Sequence, residues 1–468
     1  MEKGKRLKTD VNGETLLPEA MIQHIQSFLT GKEAARTTLL SKSWYSAWLT
    51  RPTFDFDQQD FTYGGPKSSK SRFVKYVMKI IAKYQDLNLK IDSLRLRCTR
   101  GNEFLANRLI VKAMKMGATD LNLEMRSVTR VLPREVLESE TLVRLSVSGR
   151  IIVGNVRCWG LKSLSLNRVH MKSDDMLRDI ISCCISIEEL SLSHCRSSIL
   201  VNRNGKMFTL SAMNLYELRK LRRLYLETVC VDALFFSNFD SRFPCLKDLI
   251  LLGCHGYKTI QIVSTSLERI SFMQFKALTG EFDVRNLVSF SYSGVAMPSL
   301  SIESSREWEY SYTSTACSRL VLSRSWFMKL SKSILAQSSP SKITLYIKYW
   351  CWERIGEKGY TYIEPKPLVL ENLTIGTPIY SLNTRMLVGL FRLCRPKIIT
   401  FHLLHILRKK LMKKMITPNQ NRLGQLGLKE VSVEIYEEIL KEWRPLLLKE
   451  PLHDFKQKIK IRFHLRWG

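Results

Sequence analysis

The alternation of hydrophobic and polar positions divides the chain into segments of different period. Residues 1–15 are polar and basic without any period, and are expected to form a disordered arm. From Leu17 the apolar residues Met21, Ile22, Ile25, Phe28 and Leu29 fall on one stripe of a predicted helix, with Pro18 suited to its first turn and Gly31 ending it. A second short helix is predicted from Glu33 to Leu40, and a third from Lys42 to Leu49 carrying Trp44, Tyr45 and Trp48. The stretch from Pro52 to Asp57 reads as extended, and Tyr63 to Lys70 reads as a loop by composition. Phe73, Val77, Ile80, Ile81 and Tyr84 then recur at helical spacing.

Beyond residue 90 one unit repeats: apolar-x-x-apolar-x-apolar. It is clearest in Leu161-Leu164-Leu166, Ile187-Leu190-Leu192, Leu221-Leu224-Leu226, Leu246-Leu249-Leu251 and Leu267-Ile270-Phe272, with weaker copies around Leu121, Leu320, Leu345, Leu373, Ile399 and Val431. The steps between copies cluster around the ~20–29 residues of leucine-rich repeats, each one strand plus a helical or irregular return. Stacked units bury a continuous apolar row that a single unit exposes. The fold class expected is therefore α/β, a curved parallel sheet following the helical N-terminus. Two long steps read as polar insertions, Ser197 to Ser211 and Ala296 to Ala316. The tail alternates at Ile459, Ile461, Phe463 and Leu465, which predicts a last strand.

Composition adds bounds. Hydrophobic residues at 45% and charged residues at 25% of 468 match a packed globular protein and exclude collagen-like and wholly disordered readings. No apolar run of membrane-spanning length and no apolar N-terminal signal are seen, so residence in the nucleus and/or cytoplasm is expected. Eleven scattered cysteines without a Cys-x-x-Cys pair then read as reduced, mostly buried thiols, and the sequon at Asn372 carries no meaning. The net charge of +30, from 73 Lys plus Arg against 43 Asp plus Glu, produces a field that attracts acidic partners or polyanions.

The residues Leu17-Pro18-Glu19, Ile22, His24-Ile25, Ser27-Phe28-Leu29, Lys32-Glu33-Ala34-Ala35-Arg36-Thr37 and Leu40-Ser41-Lys42-x-Trp44 resemble the F-box. More narrowly, they resemble the plant F-box proteins that carry leucine-rich repeats. The resemblance implies that residues 16–57 dock on a Skp-type adaptor and through it on a cullin scaffold, with 58–90 a linker and helix. Residues 91–435 then form the leucine-rich repeats that hold a protein substrate, and 436–468 a cap or tail. It implies Leu17, Pro18, Ile22, Ile25, Phe28, Leu39, Leu40 and Trp44 as adaptor contacts, several of which can equally fill the box's own core. Three short helices with this much apolar surface suit a standard interface of about 1,600 Å². Gln26 stands where the family has an apolar residue, Gly31 weakens the second helix's start, and Ser43 replaces a basic residue. An unpaired Gln26 amide facing the adaptor would cost about 1–3 kcal/mol.

A period of two turns Leu164 and Leu166 inward and their neighbours outward, and the same rule in other copies exposes Tyr225, Ile250, Leu252 and Met273. These four are the expected substrate contacts. Cys195 and Cys254 occupy the structural Asn/Cys position of the repeat, and the pairs His194-Cys195 and Cys254-His255 lack the spacing of a zinc site. His402-x-x-His405 lies in a helix-like apolar stretch and is read as structural. No hydrolase, metalloprotease or phosphate-loop motif occurs, so neither catalysis nor a cofactor or metal is expected. The basic runs Lys3 to Lys8 and Arg408 to Lys414 lack interleaved aromatics, which disfavours nucleic acid. The expected function is a non-catalytic substrate receptor of an SCF-type ubiquitin ligase. The competing class is a non-ligase repeat scaffold or a basic nucleic-acid-binding adaptor.

Overall fold

The computed structural model describes residues 17–61, 66–98, 103–152, 156–171, 176–197, 209–210, 215, 218–231, 234–256, 259–275, 278–315, 320–321, 340–347, 350–351, 367–375, 384–403, 415, 426–437, 441–445 and 459–468. The arm at 1–15, the loop centred on Asn202 to Gly205, the run Arg408 to Lys414 and His405 lie outside them. The chain divides into two compact units, Met1–Cys230 and Val231–Gly468.

The first unit opens with three short helices, α1 (Glu19–Ser27), α2 (Gly31–Thr37) and α3 (Lys42–Thr50). Each start is specified locally. Pro18 stands at the cap of α1. Thr30 and Glu33 form a reciprocal capping box on α2, and Ser41 accepts from the Trp44 amide at 3.4 Å on α3. The Thr30 backbone N–H and hydroxyl both donate to Glu33, which holds its carboxyl below the ordinary value.

Behind the helices runs a parallel ladder of β1 (Thr53–Asp57), β2 (Ser93–Cys98), β3 (Asp120–Val131), β4 (Arg144–Ile152), β5 (Ser163–Asn167), β6 (Glu189–Ser193) and β7 (Arg223–Glu227). Its register puts Phe54, Leu94, Leu121, Leu145, Leu164, Leu190 and Leu224 in one row. A second row runs through Phe56, Leu96, Leu123, Val147, Leu166, Leu192 and Leu226. All fourteen side chains are buried. A fully buried Leu or Phe is worth roughly 1.5–3 kcal/mol of transfer free energy, so the rows dominate the unit's core. The ladder begins at Phe54-x-Phe56, one rung before the repeats legible in the sequence. The loop expected up to Lys70 is in fact entered by a helix: α4 (Pro66–Asp86) and α5 (Glu103–Lys115) are the first two returns.

Immediately after β5, β6 and β7 stand Arg168, His194 and Thr228, each with φ between 50° and 57°. The backbone turns out of the strand through the left-handed region at the same place in each repeat, a geometry L-residues adopt at a cost.

The second unit continues the pattern with β8 (Asp248–Leu252), β10 (Arg269–Phe275), β12 (Ser289–Gly294), β14 (Glu309–Ser314), β15 (Lys342–Ile347), β16 (Leu368–Ile375) and β17 (Cys394–Leu403) in parallel order. Leu251, Phe272, Tyr292, Tyr312, Leu345, Leu373 and Ile399 form one buried row. Neighbouring rungs place rings over rings, so Tyr292 and Tyr312 stack at 5.7 Å and 7°. The expected polar insertion from Ala296 to Ala316 is not one. It holds β13 (Ser299–Glu303) and β14, and Trp308, Tyr310 and Tyr312 are buried core.

Three returns of this unit are strands. β9 (Ile260–Ser264), β11 (Thr279–Val284) and β13 form a second small parallel sheet. Successive rungs at Leu249, Ile270, Phe290 and Tyr310 are only about twenty residues apart, which leaves room for an extended return but not for a helix of several turns.

After β17 the direction reverses. β20 (Ile459–Trp467) pairs antiparallel with β17 and with β18 (Leu428–Glu437), and β18 pairs antiparallel with β19 (Glu442–Pro445). Val431 is therefore not a further repeat, and the final strand expected at Ile459 to Leu465 lies between β17 and β18. Leu320 is outside the ladder, in a two-residue bridge to Trp350–Cys351. His402 sits in β17, in a strand and not in a helix; burial and nearby Lys460 lower its pKa.

Candidate functional site

The three-helix unit hides little of its apolar mass. Ile22, Ala34 and Ala47 fill its interior, each almost wholly buried. One helical stripe away, Leu17, Met21, Ile25 and Phe28 face solvent, Phe28 being 77% exposed. The turn after α2 projects Leu39, 88% exposed, and Leu40, while Tyr45 on α3 is exposed, Pro18 is exposed and Trp44 half-buried. His24 supports Phe28 edge-on at 4.9 Å. The sequence reading missed Met21 and Tyr45. The signal for Met21 was present, because it lies four residues from both Leu17 and Ile25 on the same stripe.

Ile22 is a correction: at 1% exposure it belongs to the helices' own core and offers nothing to a partner. Gln26 is a second. Its side chain is buried inward, and its amide nitrogen donates to the Thr37 hydroxyl at 2.9 Å and to the Trp44 carbonyl at 3.2 Å, linking α1 to α2 and α3. Gln26 therefore does not present an unpaired amide to an adaptor.

Gly31 does not weaken α2 so much as permit its position. Its N–H donates to Asp55 Oδ2 at 2.9 Å, and an added Cβ would meet the Asp55 carbonyl at 2.6 Å. Only glycine lets α2 lie this close to β1. Ser43 is half-buried and shares a 2.7 Å hydrogen bond with Ser41 at the start of α3.

On the outer face of the second unit's ladder, Leu252 lies directly opposite Met273, and Ile250 opposite Ser271. Met273 is exposed; Ile250 and Leu252 are half-buried. Tyr225 belongs to the first unit, where its hydroxyl donates to Glu227 at 3.1 Å while His194 approaches the same carboxylate at 3.2 Å. Three of the four expected substrate contacts thus form one patch and the fourth is engaged with Glu227. The charges beside them are paired: Arg269 with Asp248, and Lys247 with Glu268 at 2.7 Å.

Cys195 and Cys254 are buried in the repeat, with the Cys195 thiol donating to the Leu166 carbonyl at 3.4 Å. Among the described residues no group of three or more His, Cys, Asp or Glu is arranged to hold a metal ion, and no helix is long and apolar enough to cross a membrane.

No family model matches the chain. Among proteins of Arabidopsis thaliana named for an F-box and leucine-rich repeats, one is 31% identical over 199 residues, 39% of this chain and 39% of that protein. Another is 30% identical over 223 residues, 42% of this chain and 45% of its own length. The chain is related to the plant F-box/leucine-rich-repeat proteins. An F-box protein of the same plant is 29% identical over 196 residues, covering 38% of this chain and 40% of that one. The matches thus span less than half the length of these three relatives.

Proposed function

We propose that the chain is the substrate-recognition subunit of an SCF-type ubiquitin ligase, acting in the nucleus and/or cytoplasm. The helices α1 to α3 bind a Skp-type adaptor, and through it a cullin scaffold, while the ladder's outer face binds a protein target. The observation that carries the reading is the unpartnered apolar face of Leu17, Met21, Ile25, Phe28, Leu39 and Leu40 on a helical unit whose interior is already filled. A patch of this kind, rimmed by polar residues, marks a protein interface. The relatives' F-box names support assigning that interface to an adaptor. The chain supplies no chemistry of its own in this scheme. It holds a target near a conjugating enzyme and raises the effective concentration of the target's lysines.

Capture of a purified plant Skp-type adaptor by the full chain tests the proposal, beside a Pro18→Ala/Phe28→Ala variant, at low salt and at about 0.5 M salt, where exposed charge pairs are screened. Salt-resistant capture that the variant loses supports it. Absence of capture, or equal capture by the variant, rejects it.

A further inference from the structure

The first two return helices of the first unit carry nine cations against two carboxylates, Asp86 and Glu103. Their apolar sides are spent on the core: α4 buries Phe73, Val77, Ile81 and Tyr84, and α5 buries Leu105, Leu109 and Ile110. Tyr84 packs edge-on against Phe54 at 4.6 Å, so α4 covers the inward side of the ladder and turns Lys75 and Lys79 away from it. Lys75 and Lys79, one turn apart, are exposed, and among the described residues no carboxylate lies within 4.0 Å of either. The opposite, outer side of the same strands is neutralised by cross-strand pairs, Arg95 with Asp55 at 3.6 Å, Arg97 with Asp57 at 3.2 Å and Arg144 with Asp120 at 2.8 Å.

The two helices have a definable register. Each returns from the end of one parallel strand to the start of the next, so both run in the same direction. Lys112 Nζ on α5 donates to Gln85 Oε1 on α4 at 3.0 Å. Phe104 precedes Lys112 by two turns, about 12 Å along the helix axis, which sets it within about one turn of Val77, alongside the span from Lys75 to Lys79. Phe104 is 78% exposed, and Arg108 one turn on is exposed as well. An aromatic ring absent from the linear basic runs is thus supplied to a lysine row by a neighbouring helix.

We propose that this helical face binds single-stranded nucleic acid, with Lys75, Lys79 and Arg108 against phosphates and Phe104 beneath an unstacked base. Lysine ammonium groups are point charges that track a phosphate backbone without demanding bidentate geometry. A π-face among them suits a splayed base of any identity. Neither helix retains an apolar side broad enough to lie within a bilayer.

The test uses the full chain and a fluorescent single-stranded RNA of about 20 uridines, with a DNA strand of equal length in parallel, titrated by anisotropy between about 50 and 200 mM salt. Binding should weaken with salt along a straight log–log line. Lys75→Glu/Lys79→Glu should weaken it at least tenfold and flatten that line by about 1.4, the contribution of two phosphates on a single strand. Phe104→Ala should cost roughly fivefold or more with the salt slope unchanged. Both variants alter exposed side chains, and circular dichroism with a thermal melt establishes that they remain folded. Wild-type affinity in both variants overturns the proposal, as does loss of binding only in a Lys409→Glu/Lys410→Glu variant. Displacement of the RNA by poly-glutamate at equal charge concentration also overturns it, in favour of an acidic polypeptide partner.

Discussion

The Gln26 amide nitrogen donates to the Thr37 hydroxyl at 2.9 Å, tying the first helix of the box to the second from inside. Thr37 does not depend on it, because its hydroxyl donates to the Ala34 carbonyl at 2.7 Å, and Gln26 Oε1 has no partner among the described residues. Gln26→Leu should therefore change stability by less than about 1 kcal/mol and leave the proposed adaptor capture unaffected, since an isosteric apolar group also removes an unsatisfied oxygen. Gln26→Ala should cost about 2 kcal/mol through the cavity it leaves. Thermal melts of both variants check this; a large loss in the Leu variant would mean that the hydrogen bonds themselves hold the box together.

Thr228 follows β7 at φ 52°, where Gly253 follows β8 at φ 59°. A β-branched residue in the left-handed region is strained, and asparagine tolerates it better. Thr228→Asn should stabilise the protein by about 0.5–1 kcal/mol, visible as a higher denaturation midpoint with an unchanged slope. A lower midpoint would show that the Thr228 methyl packs more favourably than its backbone costs.

Two buried tyrosines should respond oppositely to the same substitution. The Tyr84 hydroxyl donates to the Arg51 carbonyl at 2.7 Å, and burial pushes its pKa up to about 12. Tyr84→Phe should cost about 1–1.5 kcal/mol. The Tyr310 hydroxyl is buried without a hydrogen-bond partner among the described residues, so Tyr310→Phe should be neutral or stabilising by up to about 1 kcal/mol. Chemical denaturation of the pair is the measurement, and equal losses would contradict the difference in their surroundings.

Burial raises the thiols of Cys184 and Cys195 to about 12, while Cys245 is exposed. In the unfolded chain each thiol ionises near about 8.5, so above that pH the unfolded state sheds protons that the folded state keeps. The stability these groups contribute is complete below about pH 8.5 and is lost as pH rises towards 12, on the order of 2–3 kcal/mol per thiol by pH 10.5. Urea midpoints at pH 8 and 10.5 read this directly. Iodoacetamide on the folded protein at pH 8 should label Cys245 and spare Cys184 and Cys195 until denaturant is added.

The rungs were legible where leucines recur, as at Leu164, Leu190, Leu224 and Leu249, because a period of two with one buried side writes itself into sequence. They were hidden where the buried positions carry polar atoms. Trp308, Tyr310 and Tyr312 sit among serines and glutamates, so a rung read as a loop, although its spacing from Phe290 is the same as that rung's from Ile270. Val431 failed for another reason. Apolar alternation is the same for parallel and antiparallel strands, and only pairing decides direction. In the box, the exposed stripe and the buried stripe of α1 are both apolar, so Ile22 and Ile25 could be told apart only by packing. For Gln26, an amide in an apolar position, the sequence leaves inward and outward orientations open, and only the packing shows that its partners, Thr37 and the Trp44 carbonyl, lie inside.

The antiparallel strands after β17 decide how such a chain can change its length. A parallel rung can be followed by another parallel rung, so an array that stopped at β17 would present a template to any similar strand, including one from a second molecule. Occupying that edge with β20 breaks the template, and beyond it β18 and the four-residue β19 end in Pro445, which has no amide to donate. Duplicated repeats can therefore be accommodated between existing rungs and not past the last one. Growth of the ladder is interior, with both neighbours of every new rung already in place.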